Sequence, residues 1–306
     1  PFRGFASASL PGGVSASFRG CFVTSVGASS VNLRAISPAP RIQLRFPPSH
    51  DRQLAVNLSN VPARSLSIGT LPEARITGKR KVRFTFPPEA TGSREITLNP
   101  SVNERENFRF YVCGDSHGRN EVLAEIMGLA EREKGLFVIE LGDFVGDCDY
   151  SSELEERIPA RLRFTTQYDV PYLTVLGDAD TPDAEGHDAS VYTRLMGPTY
   201  YSFGWGNALF IVFDNAMGYI SIKQLRWLKK ELADSHLYDH VFAFGHQAAF
   251  DPRPGHHHCM VPLISGAGAL MNTLSAGKVD IFFAGHLHRY FKTHRDDVTY
   301  IITGGA

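Results

Sequence analysis

Five apolar runs in this chain of 306 residues each end in a glycine followed at once by a side chain able to bind a metal ion. Cys113 leads into Gly114-Asp115-Ser116-His117-Gly118, and Leu141 into Gly142-Asp143. Leu176 leads into Gly177-Asp178-Ala179-Asp180, Phe244 into Gly245-His246, and Ala284 into Gly285-His286-Leu287-His288. Glycine lets the backbone bend sharply at a strand end, so Asp115 and His117, two residues apart, leave their turn on the same side. One such turn is commonplace. Five of them put their polar residues outside the carboxyl ends of strands, where α/β sheets form their sites. Asp115, His117, Asp143, Asp178, His246, His286 and His288 make seven donors. That is too many for one tetrahedral ion, and it suits two ions that share a carboxylate. Two ions about 3.5–4 Å apart can hold a bridging hydroxide and clamp a phosphoryl group during in-line displacement.

The elements that must position these turns are legible as periodicity. Strands are expected at 108–113, 136–141, 172–176, 200–203, 208–213, 240–244, 279–284, 290–294 and 299–303. Helices are expected at 120–133, 152–166, 221–234, where Ser221 is a candidate cap, and 261–276. In the first of these helices Val122, Leu123, Ile126 and Met127 recur at helical spacing. Before residue 99 the pattern is all β, with strands expected at 21–26, 31–35, 41–46, 53–58, 65–69, 81–86 and 95–98. Pro and Gly punctuate these strands as in a small sandwich. The division is therefore a flexible segment over 1–15, a β unit over 16–98, a polar linker over 99–107 and an α/β unit over 108–306.

Charge supports the division. Residues 1–100 hold 13 Lys/Arg against 4 Asp/Glu, and the remainder 18 against 28. An acidic second half suits carboxylates gathered around cations and argues against a nucleic-acid groove. The basic run Lys79-Arg80-Lys81-Val82-Arg83 reads as a solvated edge that blocks strand pairing, or as a contact for an anionic partner. Four scattered cysteines with no Cys-x-x-Cys exclude a zinc finger. No apolar run approaches the roughly 18 residues of a membrane helix, so no membrane span is expected. Residues 1–50 carry five arginines and no acid, which fits part of a targeting segment or a basic β domain. An extracytoplasmic or secreted location is expected, with a cytoplasmic or organellar one as the alternative. The chain opens at Pro1, so processing or a fragment is expected.

The five turns together resemble the calcineurin-like metallophosphoesterases, whose blocks are Asp-x-His, Gly-Asp, Gly-Asn-His-Asp/Glu, Gly-His and Gly-His-x-His. The resemblance covers 108–303, about two thirds of the chain. Two further stretches look more loosely like purple-acid-phosphatase relatives with a fibronectin-III-like domain in front. They are Arg19–Val26 with Ser30–Arg34, and Tyr201–Asp214 with Gln224–Leu228. The resemblance implies an α/β fold, a four-layer αββα sandwich preceded by a small all-β sandwich. It implies one metal held by Asp115, His117, Asp143 and His288, and another by Asp143 as bridge, Asp178, His246 and His286. Mn, Fe or Zn would serve, with a small phosphate ester as substrate and a metal-bridging hydroxide as nucleophile.

The sequence departs from the family twice. Where purple acid phosphatases carry Tyr three residues after the second-block Asp stands Gly146, so no ferric–tyrosinate centre is expected, and Tyr150 is too far along to replace it. The third block has Asp178-Ala179 in place of Asn-His. Asp178 keeps an oxygen donor and adds charge. Ala179 removes a group that the family uses on the transition state or leaving group, and losing one such donor costs about 10²–10³ in rate. The readings left open are an enzyme for substrates with easy leaving groups, a substitute histidine, and a weakened or inactive metal-binding relative. The substitute is His187 or one of His256, His257 and His258. Catalytic candidates are thus Asp143, Asp180, His187 and His256. Arg119 and His257 are candidate substrate contacts, with a helix-surface role as the alternative for Arg119.

Overall fold

A computed structural model describes residues 6–62, 66–67, 74–100, 107–260 and 265–305. In chain order the strands of the first unit are β1 (Ala6–Leu10), β2 (Val14–Arg19), β3 (Cys21–Val26), β4 (Ser30–Ala35), β5 (Arg41–Phe46) and β6 (Leu54–Ser59). They continue with β7 (Leu66–Ser67), β8 (Ala74–Gly78), β9 (Lys81–Phe86), β10 (Gly92–Thr97) and β11 (Asn99–Pro100). Two sheets, ordered β1-β2-β5-β10 and β3-β4-β6-β9-β8, make a sandwich, and β7 pairs with β11. Alternation drives it. Ile42, Leu44 and Phe46 of β5 turn inward, as do Val82, Phe84 and Phe86 of β9, and the Phe46 and Phe86 rings meet at 5.2 Å.

Three expectations need correction here. Residues 6–15, expected to be flexible, form β1, a Pro11–Gly13 turn and the start of β2, paired Ala8 to Ala16. Their Ser and Ala side chains gave little hydrophobic signal, yet the inward Val14, Ala16 and Phe18 join the core. The linker expected at 99–107 begins as strand β11, paired with β7; residues 101–106 of it, and 1–5 of the flexible segment, lie outside the described residues. In the basic run, Lys79 and Arg80 form the β8–β9 turn, and Arg80 is buried. The edge is covered by β8, whose mostly exposed residues carried no alternation to read.

The second unit alternates. It runs β12 (Tyr111–Cys113), α1 (Asn120–Arg132), β13 (Val138–Glu140), α2 (Ser151–Thr165), β14 (Tyr172–Thr174), α3 (Ser190–Met196), β15 (Tyr201–Trp205) and β16 (Ala208–Val212). It closes with α4 (Ile222–Leu232), β17 (His240–Phe244), α5 (Ala267–Ala276), β18 (Ile281–Ala284), β19 (Tyr290–Arg295) and β20 (Val298–Thr303). One sheet is the parallel trio β12-β13-β14; the other is β15-β16-β17-β18-β20-β19, parallel from β16 through β20.

Three apolar cores define four layers. The middle core is aromatic: Phe110 and Phe137 on the first sheet's side meet Phe210, Phe244 and Phe283 of the second. Leu123, Met127, Leu154 and Ile158 of α1 and α2 cover the outer face of the trio. Leu228, Leu232, Leu270 and Leu274 of α4 and α5 cover the outer face of the larger sheet. The result is an αββα sandwich behind a β sandwich. The middle core runs on without a break into the first unit.

Candidate metal centre

The turns after β12, β13, β14, β17 and β18 lie at the carboxyl ends of parallel strands, on one edge of the facing sheets. There the structure forms two groups of four: Asp115, His117, Asp143 and His288, and Asp143, Asp178, His246 and His286, with one donor atom of each within 4.8 Å of the others in its group. Asp143 stands between them. Its Oδ2 is 3.6 Å from His117 Nε2 and its Oδ1 3.5 Å from His246 Nε2. His117 and His288 face each other through their Nε2 atoms at 3.1 Å, and His246 Nε2 faces His286 Nδ1 at 3.2 Å.

The backbone is strained where it presents these groups. Asp115, His117, Asp143, His286 and His288 all have positive φ, between 44° and 66°, a region that bulky non-glycine residues rarely enter. Two glycines make room. A Cβ on Gly177 would collide with the Asp143 carboxylate, and one on Gly285 with that of Asp115. Asp115 Oδ1 accepts from the His286 N–H at 2.8 Å, while its buried Oδ2 has no partner. An orphaned carboxylate oxygen and imidazole nitrogens converging in pairs fit two cations of the kind bound by mixed oxygen and nitrogen donors.

Without a cation the electrostatics are lopsided. Burial, reinforced by Asp143 and opposed by His246, lifts the Asp115 carboxyl to about 7. Burial alone would depress the His246 imidazole, but Asp143 and the hydrogen bond to Asp178 carry it up to about 10. Burial would raise Asp178; the bonds with His246 at 2.6 Å and with His286 outweigh it and hold the carboxyl well below its usual range. A cation would replace these protons.

The other candidates separate. Asp180 is fully buried, and both its oxygens are committed to backbone N–H groups: Oδ2 to Asp143 and Gly177 at 2.9 Å, Oδ1 to Phe144 at 3.0 Å and Val145 at 3.3 Å. It clasps the second and third turns together and has no face for substrate, so its expected catalytic role is corrected to a positioning one. His187 is exposed and bonded within its own loop, to Thr181 Oγ1 at 3.2 Å and beside Asp183 at 3.4 Å. His256 and His257 are exposed; the histidine of that run that lies against the second candidate group is His258, its ring 4.4 Å from that of His286. Asp251 places it, accepting from the His258 N–H while paired with Arg253 at 2.6 Å. Arg119 is exposed at the first residue before α1, its Nε 3.4 Å from Ser116 O. Gly146 is a left-handed turn residue against His117 O, and Tyr150 is exposed.

Two positioning residues were missed. Buried Asn215 accepts from the N–H of His246 at 2.8 Å and donates to Gln247 O. Buried Arg161 of α2 ties Ser116 Oγ, at 2.7 Å, to Phe144 O. An arginine at an inward helical position was the only sequence signal for the second; for Asn215 there was none.

The profile of the family described as calcineurin-like phosphoesterase matches residues 108–290. Among curated proteins no sequence match is found. Among solved structures the chain is similar to a purple acid phosphatase from yellow lupin seeds, with a TM-score of 0.54 at 13% identity, over 88% of this chain and 62% of that one. It is also similar to a dimetal phosphatase from Danio rerio, with a TM-score of 0.48 at 16% identity, over 65% of this chain and 88% of that one. A third is described as the anchor in the inner membrane complex of Plasmodium, with a TM-score of 0.49 at 17% identity, over 64% and 71%. The lupin likeness spans both units and shows a shared fold. With the family profile covering more than half of its length, the chain belongs to the calcineurin-like phosphoesterases.

Proposed function

We propose that this metal-dependent phosphoesterase is a two-metal hydrolase acting on phosphate esters whose leaving group departs without strong protonation, such as aryl phosphodiesters. The observation that carries the reading is the pair of four-residue groups sharing Asp143. Asp115, His117 and His288 would hold one ion, Asp178, His246 and His286 the other, with Asp143 common to both. The ions, when bound, supply Lewis-acid stabilisation of the phosphoryl oxygens and an activated water. The chain's own residues orient that chemistry. Asp180 and Arg161 lock the turns that present Asp143 and Asp115, and Asn215 locks His246. His258, whose ring lies 4.4 Å from that of His286, would contact an ester oxygen. With no phenolate at position 146, Mn or Zn fits the mixed donors better than a coloured ferric centre.

Ala179 favours a second reading, a metal-binding relative with little turnover. Its methyl stands where the family has an imidazole, and its N–H bonds Asp143 Oδ1 at 3.0 Å. Metal analysis after reconstitution, with hydrolysis of bis- and mono-aryl phosphates, separates the two. Two ions per chain with faster diester hydrolysis supports the first. Two ions without turnover, revived by Ala179→His, supports the second. No bound metal would refute both.

A further inference from the structure

The basic stretch 79–81, the β8–β9 turn with the first residue of β9, closes a cleft of about 680 Å³ at the junction of the two units. Arg34, Arg80, Lys79, Lys81 and Arg163 line it, and none of its described lining residues is acidic. Arg34 and Arg80 sit deep in it, 9% and 5% exposed. Among the described residues neither has a carboxylate in hydrogen-bond contact. Arg34 Nη2 donates to Tyr172 O at 3.0 Å, and Arg80 Nη1 to Val170 O at 2.9 Å and Asn60 Oδ1 at 3.1 Å. Among the described residues the other guanidinium nitrogens have no partner and are not sealed-off polar atoms, and both arginines line the cleft. Asp169 acts on Arg80 from outside the lining. Glu131 is taken by Lys79 and by the Asp169 N–H. Lys81 and Arg163 stand exposed at the mouth.

Two buried guanidinium groups that repel each other are an expensive arrangement unless an anion joins them. Burial already draws Arg80 down to about 9 and Arg34 to about 10, which leaves both charged at neutral pH. Their planar forks suit the oxygens of a phosphate group. The volume falls within the range of small-molecule sites, and the depth of the arginines keeps out a flat polyanion. We propose that this junction cleft binds a small molecule bearing a phosphate group, separately from the metal centre. The carbonyls of Val170 and Tyr172 that the arginines hold belong to β14 and its approach, the strand that leads to Asp178.

The test is calorimetric titration of the full, metal-stripped chain with inorganic phosphate and with phenyl phosphate. Saturable binding is expected. It should weaken by about tenfold in the double variant Lys81→Ala, Arg163→Ala, the loss of charge-assisted contacts. Both residues are exposed, so its thermal unfolding should be unchanged. Arg80→Lys, which keeps the charge and loses the fork, should weaken binding further. Tighter binding of phenyl phosphate assigns the cleft to organic esters, and equal affinity to phosphate itself. Absence of binding to the native chain, or equal affinity in the double variant, overturns the proposal.

Discussion

Asp143 stands in both candidate groups, so the proposed two-metal reading rests on it most heavily. Asp143→Asn should cut metal content at both positions and lower hydrolysis by at least about 100-fold. Loss of only one ion would show that the groups are independent. Asp180 is separable from it by experiment. Asp180→Asn puts an amide donor against N–H donors and should lower stability by about 2–4 kcal/mol in thermal unfolding, whether or not metal is present. An unchanged melting temperature with lost turnover would return Asp180 to a catalytic role. Protonation gives a third expectation. Folding raises Asp115 from 3.8 to about 7 and His246 from 6.5 to about 10. Both groups then bind protons more tightly folded than unfolded. Their contribution is complete below 3.8 and 6.5, and it is lost as pH rises through about 7 and about 10. A cation competes with the same protons, so its stabilisation should grow as pH rises across neutrality. A metal-induced shift in unfolding temperature that does not change with pH would contradict this.

At the scale of elements, short parallel strands end where strained turns begin, and the turns are braced by side chains from elsewhere. The β14 turn shows how little tolerance remains. Gly177 packs so closely on Asp143 that Gly177→Ala should displace the Asp143 carboxylate and reduce metal content while the helices persist. Normal metal stoichiometry in that variant would mean the loop can relax. Helix α4 is a contrast, since its start is local chemistry. Ser221 Oγ accepts from the Gln224 N–H at 3.2 Å, and Ser221→Ala should cost about 1 kcal/mol in unfolding without touching hydrolysis.

Across the whole molecule the β sandwich is not a removable appendage. Its core is continuous with the aromatic layer between the catalytic sheets. Asn60, held at φ 64°, bonds Ala35 O and both the N–H and the carbonyl of Tyr172 at 2.9 Å, while accepting from Arg80. A localisation module that could be deleted without effect on hydrolysis is therefore not expected. A chain starting at residue 107 should unfold at a lower temperature than the full protein, and equal stability would show that the shared core is dispensable. Among the described residues no helix is long and apolar enough to cross a membrane.

Periodicity and glycine punctuation made the αββα layering, the preceding β sandwich and the seven candidate donors that cluster in the structure readable from the chain, because strand alternation, helical spacing and metal-ligand chemistry are local patterns. Local pattern fails where small or exposed residues carry no alternation, which is why β1 and β8 were missed although each pairs with the next strand in the chain. It fails also where partners are distant in sequence, as for Arg80 and Val170, which is why the basic run read as a solvated edge. Asp180 looked catalytic beside Asp178, and only its four bonds to two loops revealed a clasp. Among four spare histidines, folding selected His258, because the Asp251–Arg253 pair anchors its loop against His286. Sequence determined which groups are available for chemistry; tertiary structure decided which of them face one another, since that depends on contacts between turns up to 171 residues apart.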